Sequence, residues 1–152
     1  MSEQFKVPKG LYGVSITDST IARSGVDGSL IYRGYAIGDI ASHAGFEETA
    51  YLVLKGHLPK KNELQAFSEM LYDKMEVEAR LYRLMKDLGK NAHPIDAIRT
   101  AISALASIDT EHTVPEQQSS IEAKMSVLAA NSHRVPRGLE PVSERTSWTA
   151  SH

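Results

Sequence analysis

From Phe46 to Arg134 the chain repeats one pattern: apolar residues at helical spacing, then a glycine or proline. Gly56, Pro59, Gly89, Pro94 and Pro136 are the punctuation. Glycine suits the position just past a helix end, and proline suits the first turn. A chain divided this way is built for several short helices, not one long one. In the first, Phe46, Ala50, Val53 and Leu54 form a stripe that Tyr51 and Leu52 widen. Glu47 and Glu48 open it, Lys55 closes it and Gly56 follows, the charge order a helix prefers. Its apolar middle predicts burial. After Pro59, Leu64, Phe67, Met70, Leu71 and Met75 are spaced for one amphipathic helix. Leu81, Leu84, Met85 and Leu88 give a second helix or a continuation, stopped at Gly89.

Pro94 opens the next helix with His93 as its cap. Ile95, Ile98, Ile102 and Leu105 share one stripe, and Ala97, Ala101 and Ala104 permit close helix approach. Such a face serves as core or as an oligomer face. "TEHTVPEQQSS" reads as a polar connection. A last helix is predicted from about Ser120 to Arg134, with Ile121, Met125, Leu128 and Ala129 inward and Pro136 closing it. The end of the chain, "ERTSWTASH", has no periodicity.

The first third differs. "GVSITDSTIARSGVDGSLIYRGY" alternates apolar and polar residues around the turn-forming "SGVDGS". A short hairpin is predicted, with Val14, Ile16, Leu30 and Tyr32 on one side and Asp27-Gly28 in or near its loop. Ile37, Ile40 and Ala41 then fit one or two helical turns that Gly45 breaks. The expected fold is mainly α, a helical bundle-like assembly with a short N-terminal β-hairpin. Its expected parts are an arm and hairpin over 1–35, a helical region over 36–135 and a polar tail over 136–152, all within one domain.

With 152 residues, 41% of them hydrophobic and 24% charged, the composition is that of an ordinary globular domain. A net charge of -2 gives no electrostatic reason to expect nucleic acid or an anionic membrane surface. No apolar run approaches the ~20 residues of a membrane helix, and "MSEQFKVPKG" is no signal peptide. The expected location is the cytoplasm. The absence of cysteine excludes disulfides and thiolate chemistry.

Other chemistries find little support. His43, His57, His93, His112, His133 and His152 include no i, i+4 pair and no HExxH, so no metal site is predicted. GxSxG, GxxxxGK[ST] and GxGxxG are all missing. Glu47 and Glu48 are helical neighbours, about 100° apart, and do not converge. Lys60, Lys61, Lys86, Lys90, Arg134 and Arg137 are dispersed among acids, as on a solvated surface.

Four stretches taken together resemble citrate synthase and 2-methylcitrate synthase. They are "KGLYGVSITDSTIARSGVDGSLIYRGYAIGDIA", "FEETAYLVLKGHLPKKNEL", "HPIDAIRTAISALASID" and "AKMSVLAANSHRVPRGLEPVSERTSW". They cover nearly the whole chain in the family's order. The set "YRGY…FEE…LP…HP" is more specific than any one member, and the bacterial and archaeal short form is the best fit. The resemblance implies a reaction in which acetyl-CoA or propionyl-CoA condenses with oxaloacetate. An aspartate base takes a carbon-bound proton, one histidine stabilises the enol, another polarises the ketone, and arginines hold carboxylates.

It also implies that this chain matches the N-terminal portion and that those residues lie beyond the point matched by His152. Neither His93 nor Arg99 is carried over as catalytic. The expected sets of catalytic, cofactor-binding and metal-binding residues are therefore empty, with acyl-CoA a substrate of the complete enzyme and no cofactor. In the family the helices matched by 94–107 and 120–134 belong to a dimer interface. The implied partner is a second copy or a full-length family member, with apolar surface left exposed in the chain alone. At "ANSHRV" the chain departs from the larger apolar or aromatic residues usual in the family.

Overall fold

The computed structural model describes residues 10, 14, 17–25, 27–108 and 113–142. The chain divides into two compact units, Met1–Leu64 and Gln65–His152.

In the first unit, β1 (Ala22–Ser24), β2 (Leu30–Tyr32) and β3 (Tyr35–Ala36) form an antiparallel sheet in the order β1-β2-β3. Asp27 and Gly28 lie in the β1–β2 loop, as expected. The Asp27 carboxylate accepts from the Ser29 backbone N–H at 3.0 Å and from its hydroxyl at 2.7 Å. These bonds favour the charged form and hold the Asp27 pKa below its ordinary value. The loop sets the register, pairing Ser24 with Leu30 across it. The strand opposite Leu30–Tyr32 is therefore Ala22–Ser24, not the stretch around Val14 and Ile16. Val14 is in no strand, and Ile16 lies outside the described residues.

The β2–β3 turn is a two-residue reversal. Arg33 (φ 48°) and Gly34 (φ 93°) both take positive φ, as a type I′ hairpin requires. Arginine is an unusual choice for this conformation. Its side chain supplies the compensation. Nε and Nη2 donate to the Val53 carbonyl at 3.1 and 2.8 Å, and Nη1 donates to the Thr20 carbonyl and hydroxyl at 3.3 and 3.2 Å.

Helix α1 (Ile37–His43) buries Ile40. Gly45 then precedes α2 (Phe46–Lys55), whose Glu48 carboxylate accepts from the Gly45 N–H at 2.8 Å. Gly56 ends α2 in the left-handed conformation. The buried residues of α2 are Ala50, Tyr51 and Leu52. Phe46, placed on the inward stripe by periodicity, is 64% exposed, while Val53 and Leu54 are half-buried. The first turn of a short helix lies at its periphery, where apolar spacing alone does not ensure cover. Helix α3 (Lys61–Asp73) carries the boundary between the units and buries Phe67 and Leu71, both on the expected stripe.

The second unit contains α4 (Ala79–Asp87), α5 (Pro94–Leu105), α6 (Val114–Arg134) and a 3₁₀ turn (Val135–Arg137). Helix α4 is a separate helix, and Gly89 (φ 76°) follows its end. His93 caps α5, its Nδ1 accepting from the Ile95 N–H at 3.3 Å. One apolar cluster joins Val77, Leu81, Met85, Ala97, Ala101, Leu105, Val127, Leu128 and Val135.

Two faces differ from their sequence patterns. On α5 the buried residues are Ala97, Ala101 and Leu105, whereas Ile95 is exposed and Ile98 and Ile102 are half-buried. Alanines bring the helix surface close enough to its neighbours to seal the contact, which leaves the bulkier isoleucines on its flanks. Helix α6 starts six residues earlier than the pattern of Ile121 and Met125 implied. Thr113 and Glu116 form a capping box, with Pro115 in the first turn. Its buried face holds Ser119, Ser120, Ala123, Lys124, Val127, Leu128, Asn131 and Ser132. Of the four residues expected inward only Leu128 is buried; Ile121, Met125 and Ala129 are exposed.

No helix among the described residues is long and apolar enough to cross a membrane. Because Ala101 is fully buried within the apolar cluster, Ala101→Leu is expected to overpack it and cost roughly 1–3 kcal/mol of stability. Ser103→Leu would place the same side chain on the exposed side of the same helix and should cost under about 0.5 kcal/mol. Denaturant midpoints of the two variants check the difference.

Candidate functional site

The histidines and arginines weighed as site residues are scattered. His43 is exposed and its Nδ1 lies 3.0 Å from the Asp39 carbonyl. His57 meets Tyr51 edge-on at 5.4 Å. His93 is the helix cap just described, and His133 is exposed. His112 and His152 lie outside the described residues. No group of three or more His, Asp or Glu side chains suited to a metal ion occurs among the described residues. Arg99 pairs with Asp96 at 3.1 Å on the surface, an ion pair worth little in water. Glu47 and Glu48 sit in the first turn of α2, and Glu48 serves as its cap partner.

The most unusual polar arrangement belongs to α6. Lys124 is buried, and its ammonium donates to Glu78 Oε1 at 3.4 Å and to the Ser120 hydroxyl at 3.1 Å. Glu78 is the residue before the first turn of α4, so this pair ties the start of one helix to the middle of another. The other carboxylate oxygen, Glu78 Oε2, is buried without a hydrogen-bond partner, as is Glu122 Oε2. Burial raises the Glu122 pKa by disfavouring its charge. Asn131 is fully buried and every polar atom of its carboxamide is used. Nδ2 donates to the carbonyls of Val127 at 3.0 Å and Val142 at 2.9 Å, and Oδ1 accepts from the Val142 N–H at 2.9 Å.

These residues were not singled out by sequence as a buried set. The usable signals were the T-x-x-E capping box at Thr113, which fixes where α6 begins, and the i, i+4 spacing of Ser120 and Lys124. Three large apolar residues of α6 are nonetheless exposed. Val114 is 66% exposed, Ile121 36% and Met125 39%. Their i, i+7 and i, i+11 spacing puts them along one face. The α5 residue Ile95 is 62% exposed. The unit thus buries polar groups within itself and presents an apolar helical face outward.

Comparison with known proteins gives the chain its family. A family model described as citrate synthase, C-terminal domain, matches residues 10–152. The chain belongs to the citrate synthase family. It is 35% identical over 147 residues to citrate synthase 2 of Bacillus subtilis, covering 92% of this chain and 39% of that protein. It is 38% identical over 109 residues to a 2-methylcitrate synthase of Shewanella oneidensis, covering 71% of this chain and 29% of that protein. The solved citrate synthase of Thermotoga maritima superimposes with a TM-score of 0.75 at 32% identity, covering 88% of this chain and 36% of that one. The chain therefore spans under two-fifths of the length of these citrate synthase relatives. The mainly helical fold with a small N-terminal sheet is a citrate synthase fold, as the sequence motifs implied.

Glu122 is half-buried, with one carboxylate oxygen shut off from water. A carboxyl whose pKa is raised by folding binds its proton more tightly in the folded state. Its contribution is fully present below the unfolded pKa and is lost as pH rises through the folded one. Glu122→Gln removes the ionisation. The variant is expected to be more stable than the parent at neutral pH, with that advantage shrinking as acid protonates Glu122. Unfolding midpoints at neutral and acid pH test this; an advantage unchanged with pH would refute it.

Proposed function

We propose that the chain is an N-terminal portion of an enzyme that condenses acetyl-CoA or propionyl-CoA with oxaloacetate, giving citrate or 2-methylcitrate, and that it is inactive alone. The observation that carries the reading is the family match over residues 10–152, joined to relatives named both citrate synthase and 2-methylcitrate synthase. Claisen-type condensation at an acyl carbon needs a base beside that carbon and a donor for the developing enolate oxygen. The described histidines, arginines and carboxylates do not converge into such a set. His93 caps a helix and Arg99 faces solvent, so neither is offered as catalytic. In this reading the base, the enol-stabilising histidine and the ketone-polarising histidine come from outside the chain, which requires no cofactor and no metal.

A second role accompanies the first. The outward face of α6, with Val114, Ile121 and Met125, favours helical pairing with a second copy or with a full-length family member. In that role the chain is a non-catalytic assembly module, and neither nucleic acid nor membrane takes part.

Release of CoA from acetyl-CoA and from propionyl-CoA, each with oxaloacetate, tests the leading reading. The chain contains no cysteine, so an oxaloacetate-dependent thiol signal can only be CoA. The expected result for the purified chain is no signal above the enzyme-free control. Sustained turnover from protein free of contaminating synthase would place a complete catalytic set within these 152 residues and overturn the proposal.

A further inference from the structure

We propose that residues 138–142 form a releasable strap on α6, and that the Asn131 carboxamide is its latch. The inference rests on the course of the chain after α6 and is independent of the enzymatic reading.

The 3₁₀ turn ends at Gly138, whose φ of 75° reverses the chain. Glycine tolerates this conformation without steric cost. The Leu139 N–H then donates to the Arg134 carbonyl at 3.1 Å. The Arg134 side chain reaches forward, its Nε donating to the Glu140 carbonyl at 2.9 Å. Two residues later Asn131 takes both backbone groups of Val142, accepting from its N–H and donating to its C=O, each at 2.9 Å. As the chain advances from 139 to 142, its partners on α6 step back from 134 to 131. The strap therefore runs antiparallel to the helix it has just left.

What holds the strap is polar. Leu139 is 50% exposed and Val142 38%, so neither is sunk into a core. The carboxamide imitates a strand edge, offering one acceptor and one donor at the spacing of a single peptide unit. Its second N–H already bonds to Val127 within the helix, so docking leaves no polar atom of Asn131 unmatched. In the released state the carboxamide gives up both bonds to Val142 and keeps the one to Val127. An apolar residue at 131 would have no means of gripping Val142.

Hydrogen exchange on the whole chain tests the latch. In the parent protein the Val142 amide should be protected. Asn131→Leu keeps an unbranched-at-Cβ side chain of similar length but removes the donor and the acceptor. It is expected to speed Val142 exchange roughly ten- to a hundredfold, the loss of two modest hydrogen bonds. The Leu105 and Leu128 amides in the core should keep their parental rates. A second variant leaves the helix untouched: Val142→Pro deletes the strap's own donor. It should make the slowly exchanging Asn131 side-chain amide protons exchange fast. An unprotected Val142 in the parent, a Val142 still protected in Asn131→Leu, or slow Asn131 side-chain protons in Val142→Pro would each overturn the latch. Loss of core protection by the same factor as at Val142 in Asn131→Leu would identify Asn131 as a core residue only. If Asn131→Leu does not fold, Val142→Pro decides.

Discussion

The second unit depends on the seating of α5 by its alanines. Ala97 and Ala101 are fully buried in the same cluster as Leu105, Val127 and Leu128. Small side chains let helix surfaces approach, and close approach restricts what the facing elements can offer. Helix α6 answers with a face of small and polar residues, from Ser119 and Ser120 to Asn131 and Ser132. Buried polar groups on that face draw partners from within the chain, as the Lys124–Glu78 pair and the bonds of Asn131 do, while Glu78 Oε2 and Glu122 Oε2 are left without one. The apolar residues left over on α6 face outward.

Element existence was legible in the chain. Glycine and proline positions marked both ends of α2, the start of α3, the end of α4 and the start of α5, whereas the break between α3 and α4, which contains neither residue, was left open; the His93 cap and the Asp27-Gly28 loop were read from local chemistry alone. The misassigned helix faces share a cause. Periodicity reports which residues share a face, not which face has a neighbour. On α5 the isoleucine stripe was the larger apolar signal, yet the alanine stripe won because contact rewards fit as well as area. On α6, Ile121 and Met125 outweighed Ser120 and Lys124 in hydropathy, and nothing local announced that a lysine would find Glu78, forty-six residues away. The start of α6 was missed for a different reason. Its capping box was present in "TVPE", but the surrounding polar residues resembled a connection.

Little of the candidate site was legible in the sequence: the described histidines sit apart as a cap, a ring contact or exposed groups, and Lys124 and Asn131 carried no local signal of burial. Family membership, in contrast, was carried by the order of four motifs and not by any one residue. The two kinds of information are complementary. Motif order reports ancestry, while the placement of individual side chains reports what this length of chain can do. A buried lysine and a fully bonded asparagine on α6 belong to the second kind.

Arg33 has a mechanical consequence. It is at once the first residue of a left-handed turn and a side-chain cap on the last turn of α2, since the Val53 carbonyl it binds is one of those a helix end leaves without a partner. A glycine there would ease the backbone and abandon the helix end. With arginine, the β2–β3 turn and the end of α2 are joined through one guanidinium, so the hairpin is anchored at its base by a residue whose own backbone resists the position it occupies.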